Sequence, residues 1–276
     1  MQIVPYLRQL AGSVISSRKQ LLERSFVLPS QHLEREVLVD VYRPAVPPWR
    51  LLRLALFNDG QDLPKMRLKR KLRRLYAAGE LPPTIVVGVH AGDRMREYGT
   101  AATRDHEGRG DLAPAYERFI IDELVPYLED RFNIYHNPGK RAVAGFSLGG
   151  LSAFDLAWRN PAVFGVAGVF SGSLWYRSRP FRAEAPDADR IVHDYVRRLK
   201  KARPIRAWFM AGTADEESDR NQNGIIDAID DTLQLVDLLR DRGRDPERDL
   251  AYVQVEGGRH EPGTWGSVIG DFLRWI

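Results

Sequence analysis

Apolar and polar positions along the chain fall into short apolar runs separated by longer stretches of helical period. The runs are Glu36–Tyr42, Leu52–Phe57, Thr84–Val89, Arg141–Phe146, Val163–Phe170, Arg206–Ala211 and Leu250–Val255. Several are continuous in Val, Ile, Ala and Phe, the composition of strands buried on both faces of a parallel sheet. The first alternates apolar with polar residues and predicts an antiparallel edge strand. Between the runs, Pro64–Ala78, Ala113–Arg131, Leu151–Arg159, Asp187–Lys201 and Asp231–Arg240 carry helical spacing. Alternation of this kind predicts an α/β fold with a mostly parallel central sheet and helices on both faces. No linker or repeat divides the chain, so residues 25–276 read as one domain. Residues 1–24 are expected to be a helical extension.

Composition narrows the class. A chain of 276 residues, 43% hydrophobic and 28% charged, can bury a full core. No apolar run reaches the length of a membrane span, and the first residues make a poor secretory signal, so a cytoplasmic protein is expected. Without cysteine there is no disulfide framework, thiolate metal site or cysteine nucleophile. The net charge is +4, and seven basic residues crowd into 65–74. Leu68, Leu72 and Leu75 share that segment at helical spacing, which predicts an amphipathic helix with a solvated basic face. No nucleic-acid signature and no membrane partner are read from it.

In an open parallel sheet, functional groups collect beyond the carboxyl ends of the strands. The fourth run leads into Gly145-Phe146-Ser147-Leu148-Gly149, a Gly-x-Ser-x-Gly between strand and helix. That is the arrangement of a nucleophile elbow: the glycines permit a sharp turn, and the helix directs its first N–H groups at a developing oxyanion. A serine nucleophile needs a base and a carboxylate to orient it, in the chain order Ser, acid, His. Two histidines follow Ser147. His193 lies in a charged helical stretch where a surface position is expected, whereas His260 follows the last run after two glycines and is read as the base. Asp215, on the tight exit from the sixth run, is read as the acid, with Glu216, Glu217 and Asp219 as rivals. Asn58-Asp59-Gly60-Gln61 follows the second run, and the N–H of Gln61, with that of Leu148, is read as the oxyanion hole. Trp175, Arg94 and Arg96 are candidates for substrate binding.

Directly after the acid, Asp219, Asn221, Asn223, Ile225, Asp227 and Asp230 fall at the spacing of an EF-hand loop, with Gly224 at its sharp turn. Position 12 is Asp instead of Glu, and the preceding helix is missing. A structural Ca²⁺ that fixes the acid-bearing segment is expected, with no cofactor required for the chemistry.

Taken in order, "LEREVLVDVYRP", "LFNDGQDL", "VVGVHAGDRMREY", "FIIDELVPYLEDRF", "AGFSLGGLSAF", "FSGSLWY", "GTADE" and "GGRHEPGTWGSVIGDFL" resemble the Putative esterase family of α/β hydrolases. That family includes enterochelin esterases, ferulic acid esterase domains, S-formylglutathione hydrolase and mycolyltransferases. The resemblance runs from about Ser25 to the C-terminus. It implies the α/β-hydrolase fold, Ser147, Asp215 and His260 as a triad, and the backbone of Gln61 and Leu148 as oxyanion hole. The expected activity is hydrolysis of a small-molecule carboxylic ester through an acyl-enzyme. Acyl transfer on the same fold is the first alternative, and a non-catalytic calcium-binding interaction protein the second.

Overall fold

The computed structural model describes residues 20–276, and its eight strands form one sheet in the order β1-β2-β4-β3-β5-β6-β7-β8. They are β1 (Leu21–Ser30), β2 (Arg35–Pro44), β3 (Arg53–Asn58), β4 (Thr84–Val89), β5 (Arg141–Phe146), β6 (Val166–Phe170), β7 (Arg206–Ala214) and β8 (Leu250–Arg259). From β4 onward across the sheet, neighbours are parallel; β1 and β2 are antiparallel additions. This is the mostly parallel sheet of an α/β hydrolase.

Side-chain alternation divides the core in two. Along β3, Leu54 and Leu56 enter one cluster while Ala55 and Phe57 enter the other, as period two requires. One face is covered by α1 (Leu68–Ala78) and the C-terminal α7 (Pro262–Trp275), whose Leu72, Leu75, Ile269 and Phe272 are fully buried. Each such side chain contributes about 1.5–3 kcal/mol by leaving water. The opposite face carries α2 (Ala113–Arg118), α3 (Val125–Arg131), α4 (Leu148–Arg159), α5 (Ile191–Arg198) and α6 (Asp227–Asp241). Gly168 on β6 is required by close packing, since a Cβ there would stand 2.6 Å from the Phe272 ring.

The structure changes several expectations. The alternating run at Glu36–Tyr42 is antiparallel but is not the edge, because β1 pairs along it from Leu21↔Pro44 to Ser30↔Arg35. Of the expected helical extension, Leu21–Arg24 is the start of that strand, Gln20 precedes it outside any element, and residues 1–19 lie outside the described residues. The helix expected from Pro64 begins only at Leu68, after Arg67 takes a left-handed φ of 56° and interrupts the helical path. Ala113–Arg131 forms two α-helical pieces around a π-helical turn at Phe119–Leu124. His193 is buried, not at the surface. It shares the inner stripe of α5 with Val192 and Val196, and its Nε2 lies 2.8 Å from the Asp231 carbonyl. Burial holds its pKa well below the ordinary imidazole value, so it packs there neutral.

The basic outer face of α1 stands as expected, with Lys69 and Arg73 reaching Glu23 on β1. Among the described residues, no helix is long and apolar enough to cross a membrane.

Candidate active site

Ser147 sits at the N-cap of α4 with φ 55° and ψ −124°, a conformation costly for any residue with a Cβ. The turn survives because its neighbours over-determine it. Ser147 N–H donates to the Phe170 carbonyl at 2.9 Å, and its carbonyl accepts from Gly150 N–H at 2.9 Å and Ser173 N–H at 3.1 Å. Two glycines make room: a Cβ at Gly145 would run into the Gly149 carbonyl, and one at Gly149 would meet Asp59 Oδ2 at 2.7 Å. The Leu148 N–H opens α4, so it has no partner within the helix.

The other oxyanion candidate is held from behind. Asp59 takes a left-handed φ of 58° and is buried, with its N–H donating to Tyr98 Oη at 2.9 Å. Its carboxylate accepts from Arg94 Nε and Nη2, at 2.7 and 3.0 Å, and from the Gln61 side-chain Nε2 at 2.8 Å. Asn58 donates to the Gly149 carbonyl at 2.8 Å and accepts from Tyr116 Oη at 2.6 Å, tying the loop to the elbow. Gly60 fits because a Cβ there would stand 2.5 Å from the Gly88 backbone carbon.

Asp215 and His260 come together from the ends of β7 and β8. Asp215 Oδ2 accepts the Gly212 N–H at 2.9 Å, while its Oδ1 is buried without a hydrogen-bond partner, 3.8 Å from His260 Nδ1. The His260 ring stands edge-on to Trp265 at 5.3 Å, and Trp265 in turn stacks on Phe146 and donates from Nε1 to Ser171 Oγ at 3.0 Å. Burial lowers the His260 pKa, the Asp215 charge opposes that shift, and Arg94 adds to it. Ser147, Asp215 and His260 line one cleft of about 360 Å³ together with Ser171, Gly172, Ser173, Trp175, Glu216 and Ala228. The hydrogen bond of Ser147 Oγ runs to Ser173 Oγ at 3.4 Å.

The remaining candidates separate. Trp175 is in the cleft wall and 37% exposed. Tyr176 beside it is buried and spends its hydroxyl on the Asp105–Arg109 turn. Arg94 lies close enough to influence His260 but is committed to Asp59; Arg96 pairs at the surface with Asp111 at 2.6 Å and is not part of the cleft. Among the rivals of Asp215, Glu216 lines the cleft, and burial with the nearby Asp227 raises its pKa.

The Ca²⁺ expectation is not supported. Among the described residues no three His, Cys, Asp or Glu are grouped to hold a metal ion. Several of the loop's side-chain oxygens accept hydrogen bonds or ion pairs. Asp219 accepts the Asn223 and Gly224 N–H groups at 3.1 and 2.8 Å, and Asn223 Oδ1 accepts the Ile225 N–H at 2.8 Å. Asp227 holds the Arg220 guanidinium at 3.1 Å, and Asp230 accepts from Asn221 and Gln234, both at 2.9 Å. Arg220 also pairs with Asp187 and Asp231 beside the loop, so its charge is shared among three carboxylates of which Asp227 alone is an expected ligand.

Two residues of the site were not singled out in the sequence. Ser173 and Trp265 fall within stretches that carry the family resemblance, FSGSLWY and GGRHEPGTWGSVIGDFL, but only the fold brings them against Ser147 and His260.

Residues 30–276 match the Putative esterase family. The chain belongs to that family. It is a carboxylic ester hydrolase on the α/β-hydrolase fold. The esterase is 24% identical over 223 residues to the uncharacterized protein YbbA of Bacillus subtilis (strain 168), covering 79% of this chain and 83% of that protein. Its fold is similar to that of the enterobactin esterase of Shigella flexneri (TM-score 0.72, 20% identity, 92% of this chain and 58% of that one). It is also similar to a ferulic acid esterase (TM-score 0.69, 18% identity, 93% of this chain and 97% of that one). The esterase thus spans little more than half the length of the Shigella enzyme.

Proposed function

We propose that this esterase hydrolyses a small-molecule carboxylic ester through a covalent acyl-Ser147. The observation that carries the reading is the buried, unpartnered Asp215 Oδ1 directed at His260 Nδ1, in a cleft that also contains Ser147. His260 Nε2 takes the Ser147 proton as Oγ attacks the ester carbonyl. Asp215 fixes the imidazole tautomer and stabilises the cation that forms; closing 3.8 Å to hydrogen-bond distance satisfies its orphaned oxygen. The Gln61 and Leu148 N–H groups hold the oxyanion, each donor contributing about 2.7–4 kcal/mol to the transition state. His260 returns the proton to the leaving alcohol, then activates water to release the acid. Side chains and backbone N–H groups supply all of these steps.

A fluorophosphonate probe tests the nucleophile. Native protein is expected to be labelled and Ser147→Ala not; equal labelling of both, or no labelling of the native protein, would overturn the assignment. Enterobactin and feruloyl esters, named for the neighbours in fold, form the first substrate panel.

A further inference from the structure

A second cavity, of about 540 Å³, adjoins the catalytic cleft. The two share Trp175 as a wall, and the acid-bearing loop runs along both: Glu216 and Ala228 face the cleft, Ser218 and Asp227 the cavity. The cavity is also lined by Arg177, Phe181, Arg220, Asp219 and Gln222. Two of its walls are aromatic and open to solvent, Trp175 at 37% and Phe181 at 51% exposure.

Arg177 distinguishes this cavity from a surface groove. It is 93% buried by residue (7% exposed), yet among the described residues no carboxylate lies within salt-bridge distance of its guanidinium. One nitrogen donates to the Ala188 carbonyl at 2.6 Å, and the guanidinium lies 5.8 Å from the Phe181 ring centre. The nearby acids are committed elsewhere. Asp231 binds both Arg190 and Arg220, Asp187 binds Arg220 at 2.7 Å, and Asp227 binds Arg220 at 3.1 Å. Asp219, which also faces the cavity, is satisfied by the Asn223 and Gly224 N–H groups. Burial, and then the Arg220 charge, push the Arg177 pKa down from its ordinary value, against the pull of the more distant Asp231 and Asp187. A buried cation in that position gains from an anion placed beside it.

We propose that this cavity is a subsite for a carboxylate-bearing portion of the ester substrate, with Arg177 as its charge-recognising residue and Trp175 and Phe181 as its apolar walls. The inference rests on the catalytic cleft reading above. It adds a specificity: esters that carry a negative charge remote from the reacting carbonyl are preferred over their neutral isosteres.

The test compares two substrate pairs, because the charged portion could belong to the acyl group or to the alcohol. One pair is the p-nitrophenyl monoester of glutarate and its methyl-capped counterpart; the other is 4-acetoxybenzoate and its methyl ester. The native enzyme is expected to favour the charged member of at least one pair by about tenfold or more in kcat/KM, expressed in KM, the yield of one charge-assisted hydrogen bond. Arg177→Gln abolishes that preference while leaving the neutral member unchanged, and Arg177→Lys restores part of it. No preference by the native enzyme in either pair would overturn the subsite without need of any variant. Equal loss on both members in Arg177→Gln would assign Arg177 a structural role instead. Turnover of the neutral esters, and its loss in Ser147→Ala, reports separately on the nucleophile.

Discussion

Asp215 Oδ1 lies 3.8 Å from His260 Nδ1 and is the buried atom of that carboxylate left without a hydrogen bond, its other oxygen being held by the Gly212 N–H. A buried carboxylate oxygen without a donor is costly, so the pair is poised to close once the imidazole gains its second proton. His260 is 41% exposed at its side chain and has room to move; Asp215 does not.

Asp215→Asn is expected to lower kcat by roughly a thousandfold or more while the thermal midpoint changes little, because the amide can still accept from Gly212 but favours the wrong imidazole tautomer. Steady-state kinetics alongside a melting curve separates this from unfolding. A fall in kcat of less than tenfold would remove Asp215 from the mechanism.

The base must be neutral, so kcat/KM should rise with pH through the His260 pKa. That pKa is lowered from the ordinary imidazole value by burial and held up in part by Asp215, so the acid limb lies below where a free imidazole would put it. Removing the Asp215 charge takes away the opposing influence, and the residual acid limb of Asp215→Asn should move to still lower pH. A limb that moves upward would contradict the pairing.

Ser147→Gly should abolish turnover yet stabilise the fold by about 1 kcal/mol, since glycine tolerates the φ of 55° that strains serine. Chemical denaturation measures it. Loss of stability instead would mean that the elbow is not strained.

Arg94→Ala should destabilise by about 2 kcal/mol, less than a fully buried pair because Arg94 is 38% exposed at its side chain. Asp59 already has its pKa raised by burial, against the pull of Arg94, and loses that pull in the variant. A folded pKa above the unfolded one gives stability present at acid pH and lost as pH rises through it, so the defect should be greatest at neutral pH and shrink on acidification. A defect that grows on acidification would refute this. Turnover should fall as well, since Asp59 also accepts from the Gln61 side-chain Nε2 and so steadies the residue whose backbone N–H is the proposed oxyanion donor.

Asp155, buried on α4 and hydrogen-bonded by Tyr195 Oη and the Ala101 N–H, has its pKa pushed up to about 6, chiefly by burial. By the same sign, its contribution to stability should decline by about 1 kcal/mol between pH 5 and pH 7. Asp155→Asn should flatten that part of the stability profile. An unchanged slope would assign the pH dependence to other groups.

Much of the site was legible before the fold. The elbow could be read because the chemistry demands small residues at fixed spacing around Ser147, and spacing is a property of the chain itself. Strands β3 to β7 could be read because burial on both faces leaves continuous apolar runs, and the half-exposed edge strand β8 by its Val- and Tyr-rich composition. The strand β1 could not. Its pairing with β2 leaves much of its surface in solvent, so its composition resembles that of an extension. His193 was misplaced for a related reason: its charged sequence neighbours face outward, and only the docking of α5 against α6 turns the imidazole inward.

Local sequence thus determined the sharp turn at Ser147, the chain order of the candidate acid and base, and the class of fold, because each depends on residue type and spacing over a few positions. Tertiary structure decided what those groups meet. Asp227 and Asp230 lie at cation-loop spacing, yet they hold Arg220, Asn221 and Gln234, because the folded loop and the first turns of α6 turn these side chains onto their oxygens. Arg94 and Arg96 differ by two positions in a single turn, but one braces the loop behind the oxyanion site and the other faces solvent. Spacing fixes which groups can act together; only packing fixes whether their charges are still free to do so.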